Sequence, residues 1–176
     1  MSPDLYTFHS PTLGQLKFDE VVNNLMNFMS EDPANKYKLV VGTDSHTNGV
    51  NGGGSGNKKV DFITALVIHK IGHGGKYFWH KEKTGKIKTL RQKIYQETYL
   101  SLGLAQTLME HIQNSLANKR QSYDPKFELE IHVDIGENGQ TREMLKEIVG
   151  LVRGNGFYPK TKPNSFGASN VADKHT

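Results

Sequence analysis

The 176-residue chain contains no cysteine, which excludes disulfides, thiolate zinc sites and a cysteine nucleophile. That absence is compatible with a reducing compartment. Long hydrophobic runs are also missing. The longest apolar stretch, FITALVI, falls far short of the roughly 20 residues needed to span a bilayer. The opening MSPDLYTFHS has neither a basic start nor an apolar core, so it does not read as a secretory signal. The expectation is a soluble, cytoplasmic protein with no membrane partner. There is no internal repeat. There is no phosphate-cradling loop either, because the Gly-rich stretch NGVNGGGSGN (48–57) is not closed by Gly-Lys-Ser/Thr and no helix pattern follows it. Six of its ten residues are Gly or Ser and three are Asn, so it reads as a flexible connection between strands.

The length fits a single domain over 1–176 that buries enough surface to need no staple. The net charge of +4, from 22 basic and 18 acidic residues, mildly favours an anionic partner.

Along the chain, FDEVVNNLMNFM (18–29) repeats apolar residues Phe18, Val21, Val22, Leu25, Phe28 and Met29 at helical spacing. KYKLVVGTDSH reads as a buried strand, KVDFITALVIHKI (59–71) as a second, and KYFWHKEK as a third after the turn at Gly72, Gly74 and Gly75. Short loops between them predict an antiparallel meander. A long helix runs from about Thr89 to Asn118. FELEIHVDIG (127–136) is a fourth strand, and TREMLKEIVGLVR an amphipathic helix with Thr141 as its cap. FYPKTKP is a fifth strand, confined to an edge by Pro159 and Pro163. SFGASNVADKHT closes the chain as a short helix. Strands separated by helices should add in parallel, giving an α/β fold with a mixed five-stranded sheet, three strands antiparallel and then two parallel, flanked by helices.

Four acids stand in unusual places. Asp44 follows the apolar KLVVGT and Asp134 follows LEIHV, each near a strand's C-terminal end, where open α/β sheets place ligands. Either alone reads equally well as a turn residue or a helix cap. Glu97 lies on the stripe Leu90, Ile94, Glu97, Ser101, Leu104, Leu108, which should face the sheet. The alternative is a helix rotated toward Leu102, Ala105, Met109 and Leu116. A buried carboxylate costs several kcal/mol unless it is paired or binds a metal. Asp173, three residues from the end, is uninformative alone. Two strand-end Asp and an inward Glu can converge, and carboxylates that close repel each other unless a cation restores their charge. All-oxygen ligands favour Mg²⁺ or Mn²⁺ over zinc, and two such ions suit phosphodiester cleavage.

The segments GTDSH, LRQKIYQETYLSL, IHVDIGENG and SFGASNVADKHT resemble the YkuK-type family of ribonuclease-H-like proteins, over about Thr12 to His175. The order of the four acids is similar to that of the ribonuclease H superfamily. The resemblance implies a ribonuclease-H-like domain with Asp44, Glu97, Asp134 and Asp173 as metal ligands and catalytic residues, and it implies nuclease chemistry. The same fold also hosts members without catalysis. A dimer is compatible with it.

Other residues carry open readings. His46 is either a water or phosphate contact or a solvated loop residue, and His132 reads as a core or interface histidine. His69, His73 and His80 have no zinc-ligand spacing. Glu137 and Asn138 read as turn residues, with a supporting role at the site as the alternative. Lys174 and His175 could touch a phosphate or assist proton transfer. Lys81, Lys83, Lys86, Lys88, Arg91 and Lys93, joined by Lys160 and Lys162 and near Tyr77, Phe78 and Trp79, suit a nucleic-acid backbone with stacking groups, or else an ordinary solvated face. The expected function is a Mg²⁺- or Mn²⁺-dependent nuclease. A non-catalytic module binding nucleic acid or protein is the second reading, and a metal-dependent phosphatase acting on a small substrate the third.

Overall fold

The computed structural model describes residues 6–48, 59–84, 87–117, 125–138 and 141–175. Strands β1 (Thr7–Ser10) and β2 (Gly14–Lys17) form a hairpin and lead into α1 (Phe18–Ser30). The meander follows as β3 (Tyr37–Asn48), β4 (Lys59–Lys70) and β5 (Gly74–Thr84). After it come α2 (Leu90–Ala117), β6 (Phe127–His132), α3 (Leu145–Gly154) and β7 (Tyr158–Lys160). The chain closes with a π-helical segment, Gly167–Ala172, and a 3-10 turn, Asp173–His175. The Gly-rich stretch expected to be flexible lies, apart from Asn48, outside the described residues.

Among the described residues one sheet holds seven strands, in the order β2-β1-β5-β4-β3-β6-β7. β3, β4 and β5 are antiparallel, and β6 and β7 add in parallel beyond β3, as the spacing of helices and strands predicts. The expected count of five strands is corrected to seven, because β1 and β2 extend the sheet beyond β5. Each has only four residues, too few for a period-two pattern to stand out. Their hairpin closes at Gly14, whose φ of +72° is a left-handed conformation that glycine adopts without a Cβ clash. β7 takes an edge, where Pro159 costs no ladder bond.

α1 and α2 cover one face of the sheet. The α1 stripe Phe18, Val21, Val22, Leu25 and Met29 is buried with Met26, against Leu39, Val41, Leu66, Ile68 and Phe78 of the strands. On α2, the stripe Ile94, Glu97, Ser101, Leu104 and Leu108 is buried, as are Leu102 and Ala105 of the rotated alternative, so the inward face is broad. Leu90 is exposed at the helix start. The helix expected over 141–153 begins as a 3-10 turn, Arg142–Met144, and Thr141 makes no side-chain cap. Its hydroxyl instead accepts from the Gly136 N–H at 3.4 Å. Among the described residues, no helix is long and apolar enough to cross a membrane.

The opposite face is covered at its centre by the closing segment. Ala172 and Val171 pack on Ile63 and Ala65 with Trp79. The Gly167 N–H donates to His132 Nδ1 at 3.0 Å. His132, 1% exposed, also meets Glu130 at 3.2 Å, and Glu130 is paired with Lys38 at 3.0 Å. The histidine is thus the core residue expected, and it anchors the chain terminus.

Candidate functional site

The parallel ladder of β3 with β6 ends at the pair Gly42↔His132, while β3 continues to Asn48 against β4. A cleft therefore opens beside the second half of β3. Beyond His132 the chain runs on through Asp134, held by bonds from the Val133 N–H to the Lys160 carbonyl at 2.9 Å and from the Lys162 N–H to the Ile135 carbonyl at 2.8 Å. Those bonds bring Lys162 to the mouth of the cleft.

Three of the four acids line this cleft, which holds about 350 Å³ between Asp44, Lys93, Glu97, Asp134, Asn138 and Lys162, with Leu90, Ile94 and Thr141. A second opening of about 550 Å³ shares Asn138 and Lys162 with it. Asp173 does not line the cleft. It lies exposed on the final turn, yet its charge is felt at Asp44. A further opening of about 520 Å³ lies at the other end of β3, around Tyr37 and Phe127, away from the acids.

Each acid has its own environment. Glu97 is 4% exposed on the inward face of α2 and accepts the Ser45 hydroxyl at 2.7 Å. Burial pushes its carboxyl up to about 7, and the charges of Asp44 and Asp134 add to the rise against the pull of Ser45 and Lys93. Asp44 is half-buried. Burial raises it above the usual carboxylate range, the Ser45 N–H and Lys93 oppose this, and Asp134 and Asp173 reinforce it. Asp134 meets Lys162 Nζ at 3.0 Å through Oδ2, while its Oδ1 is buried with no hydrogen-bond partner among the described residues.

Two lysines offset this negative charge. Lys93 Nζ donates to the Ser45 carbonyl at 3.0 Å and lies 3.6 Å from Glu97 Oε1. Lys162 holds Asp134. The sequence reading placed both lysines in a surface basic run and missed their position at the acids. Lys93 precedes Glu97 by four residues on a helix, a spacing that puts them side by side and could have revealed it. Lys162 carries no comparable local signal, since β7 and the turn after it bring it there.

The donor set suits a hard divalent cation. It is all carboxylate, it includes a buried oxygen of Asp134 without a partner among the described residues, and burial with mutual repulsion pushes Asp44 and Glu97 toward protonation. Among the described residues, however, no three His, Asp or Glu side chains already form a metal-binding group.

The remaining residues of the sequence reading divide. His46 lies on β3 rather than in a loop and is exposed. Asn138 lines the cleft, whereas Glu137 lines only the adjoining opening. Arg91 is bound to Glu147 of α3 at 2.7 Å and Lys81 to Asp61 at 2.8 Å, so these members of the basic run have structural partners. Lys86 lies outside the described residues.

The sequence profile of the family described as "Ribonuclease H-like" matches residues 20–176. A Bacillus subtilis (strain 168) protein described as "Uncharacterized protein YkuK" is 30% identical over 179 residues, which cover 98% of each chain. No solved structure matches. Together with the mixed sheet, the acid-lined cleft and the segments GTDSH and IHVDIGENG, these matches show that the chain belongs to the ribonuclease-H-like family and to its YkuK-type members.

Proposed function

We propose that this protein is a divalent-metal-dependent nuclease that hydrolyses phosphodiester bonds in nucleic acid, acting in the cytoplasm. The observation that carries this reading is the gathering of Asp44, Glu97 and Asp134, from three separate elements, in one cleft where the protein leaves their charge incompletely matched. Asp44, Glu97 and Asp134 would hold Mg²⁺ or Mn²⁺, with Asp173 contributing from the closing turn. When bound, the ion supplies a polarised water and charge for the leaving oxygen.

The chain's own residues do the rest. Ser45 fixes the Glu97 carboxylate by its hydroxyl, so that carboxylate faces the cleft in one orientation. Lys93 and Lys162 offset part of the acids' charge before a substrate arrives. Lys162, exposed at the mouth, offers its ammonium to an incoming phosphate. The two adjoining openings leave room for a chain to pass, which supports a polymeric substrate over a small phosphorylated one.

The test is cleavage of labelled single-stranded and duplex DNA, RNA, an RNA–DNA hybrid and a four-way junction, with Mg²⁺, with Mn²⁺ and with chelator. Cutting that requires metal and disappears in Asp44→Asn is the expected result. Activity retained in a folded Asp44→Asn variant sinks the assignment. A second reading, a non-catalytic binding module, is favoured by one observation: lysines already partner Glu97 and Asp134. Nucleic-acid binding that is indifferent to metal, with no cutting of any substrate, would select it.

A further inference from the structure

The outward face of β5 carries two aromatic groups followed by two basic ones. Tyr77, Trp79, Lys81 and Lys83 follow one another at every second residue, so they project from the same side of the sheet. It is the side opposite the helices. Phe78 points into the main core, while Trp79 packs with Ile63, Ala65 and Ala172. Trp79 is the chain's single tryptophan.

Flat rings collect on it. The His175 imidazole lies parallel to the indole, with centroids 3.8 Å apart and planes 3° from each other. His9 of β1 stacks at 5.5 Å, and Tyr77 lies at 5.9 Å. The His175 ring lies over Trp79 as a planar nitrogen heterocycle such as a nucleobase would. It is poorly held otherwise, because its Nε2 is buried with no hydrogen-bond partner among the described residues. A buried polar atom left unsatisfied is costly. A base that stacks with its polar edge in water avoids that cost and can take the ring's place.

The strand register relates this platform to the acids. Lys81 pairs with Ile63 and Ile63 with Asp44, while Trp79 pairs with Ala65 and Ala65 with Gly42. Trp79 thus lies two strands over and two residues along from Asp44, about 10 Å by about 7 Å. Lys83, exposed on the same face, continues the row past Lys81, whose charge is engaged by Asp61.

The geometry points to a binding site for one unpaired nucleobase, stacked on Trp79 in exchange for the His175 ring, with Lys83 on the adjoining phosphate backbone. The ligand is a single-stranded stretch of nucleic acid beside the acidic cleft. This rests on the nucleic-acid reading above and names the substrate's form. A paired base cannot reach the indole face. Stacking of this kind tolerates any base, since each presents a π-face.

The chain's single tryptophan reports directly on the site. In chelator, where no cutting occurs, the full chain is titrated with a labelled thymidine oligomer, its abasic counterpart of equal length and a blunt duplex. Trp79 emission and label anisotropy are read together. The thymidine oligomer should bind and quench Trp79. The abasic strand and the duplex should not quench, and the abasic strand should bind roughly 5- to 150-fold more weakly. Trp79→Ala should show the same loss, with Trp79→Phe recovering part of it and circular dichroism confirming the fold of both. His175→Ala should tighten binding, and Lys83→Ala should lower the salt slope by about one unit. Binding that leaves Trp79 emission unchanged, equal affinity for the abasic strand, no binding, or a His175→Ala variant that binds no better would each overturn the proposal. The metal-dependent cleavage panel is scored separately. Cutting with a silent Trp79 removes the stacking site alone, and stacking without cutting removes the nuclease alone.

Discussion

At Glu97 a carboxyl occupies a core position, and its burial has a measurable consequence. Its pKa of about 7 in the folded chain stands above the ordinary 4.5. Between those values the native state keeps a proton that the unfolded chain has lost, so this group's contribution to stability is full below about pH 4.5 and is lost as pH rises through about 7. With chelator present, the melting temperature should therefore fall from about pH 5 to about pH 8, by an amount equivalent to at most about 3 kcal/mol. Glu97→Gln should flatten that slope, since an amide keeps the shape and does not titrate. An unchanged slope in the variant would place the titration elsewhere. Asp44, raised in the same direction, adds to the effect with the same sign.

Among the elements, the closing segment matters most, because Asp173 depends on how it is seated. Its π-helical start passes so close to the sheet that a Cβ on Gly167 would lie 2.5 Å from Val40 Cγ1 and 3.3 Å from His132 Nδ1. Gly167→Ala should cost about 1–3 kcal/mol by overpacking and should lower cleavage by displacing the turn that carries Asp173. Gly150 of α3 is the control, since a Cβ there meets nothing within 4 Å. Gly150→Ala should stabilise the helix by about 0.5–1 kcal/mol and leave cleavage unchanged. Equal melting temperatures for the two variants would refute the close-packing account. The α2 element was readable in advance, because its stripe from Ile94 to Leu108 lies on the buried face. The β1–β2 hairpin was not, because four-residue strands give too little periodicity, and pairing with the edge of β5 and burial of Phe8 against Phe18 select their conformation.

For the whole molecule, a cation that binds the folded acids and not the unfolded chain should raise stability by mass action. The gain is about 2.7 kcal/mol at a concentration one hundred times the dissociation constant. Adding Mg²⁺ or Mn²⁺ to chelated protein at neutral pH should raise its melting temperature and lower the pKa of Glu97. Asp44→Asn should weaken both responses. A wild-type melting curve indifferent to either ion would count against a metal role for these acids and in favour of the binding module. The net charge of +4 coexists with this acidic cleft because lysines lie on the β5 face and around the cleft mouth.

The sequence by itself determined the order of elements from Phe18 onward, the antiparallel meander with two parallel additions, and the inward position of Glu97. These follow from local periodicity, connection length and the handful of arrangements that connected strands allow. Only the tertiary structure decided the rest: the hairpin at the β5 edge, the cleft left where β6 stops short of β3, and the arrival of Lys162 beside Asp134. It also decided the meeting of His175 with Trp79. Each of these depends on pairing between residues distant in the chain. No local pattern encodes such pairing, because the energy that selects it comes from burial and hydrogen bonds formed only once the sheet has closed.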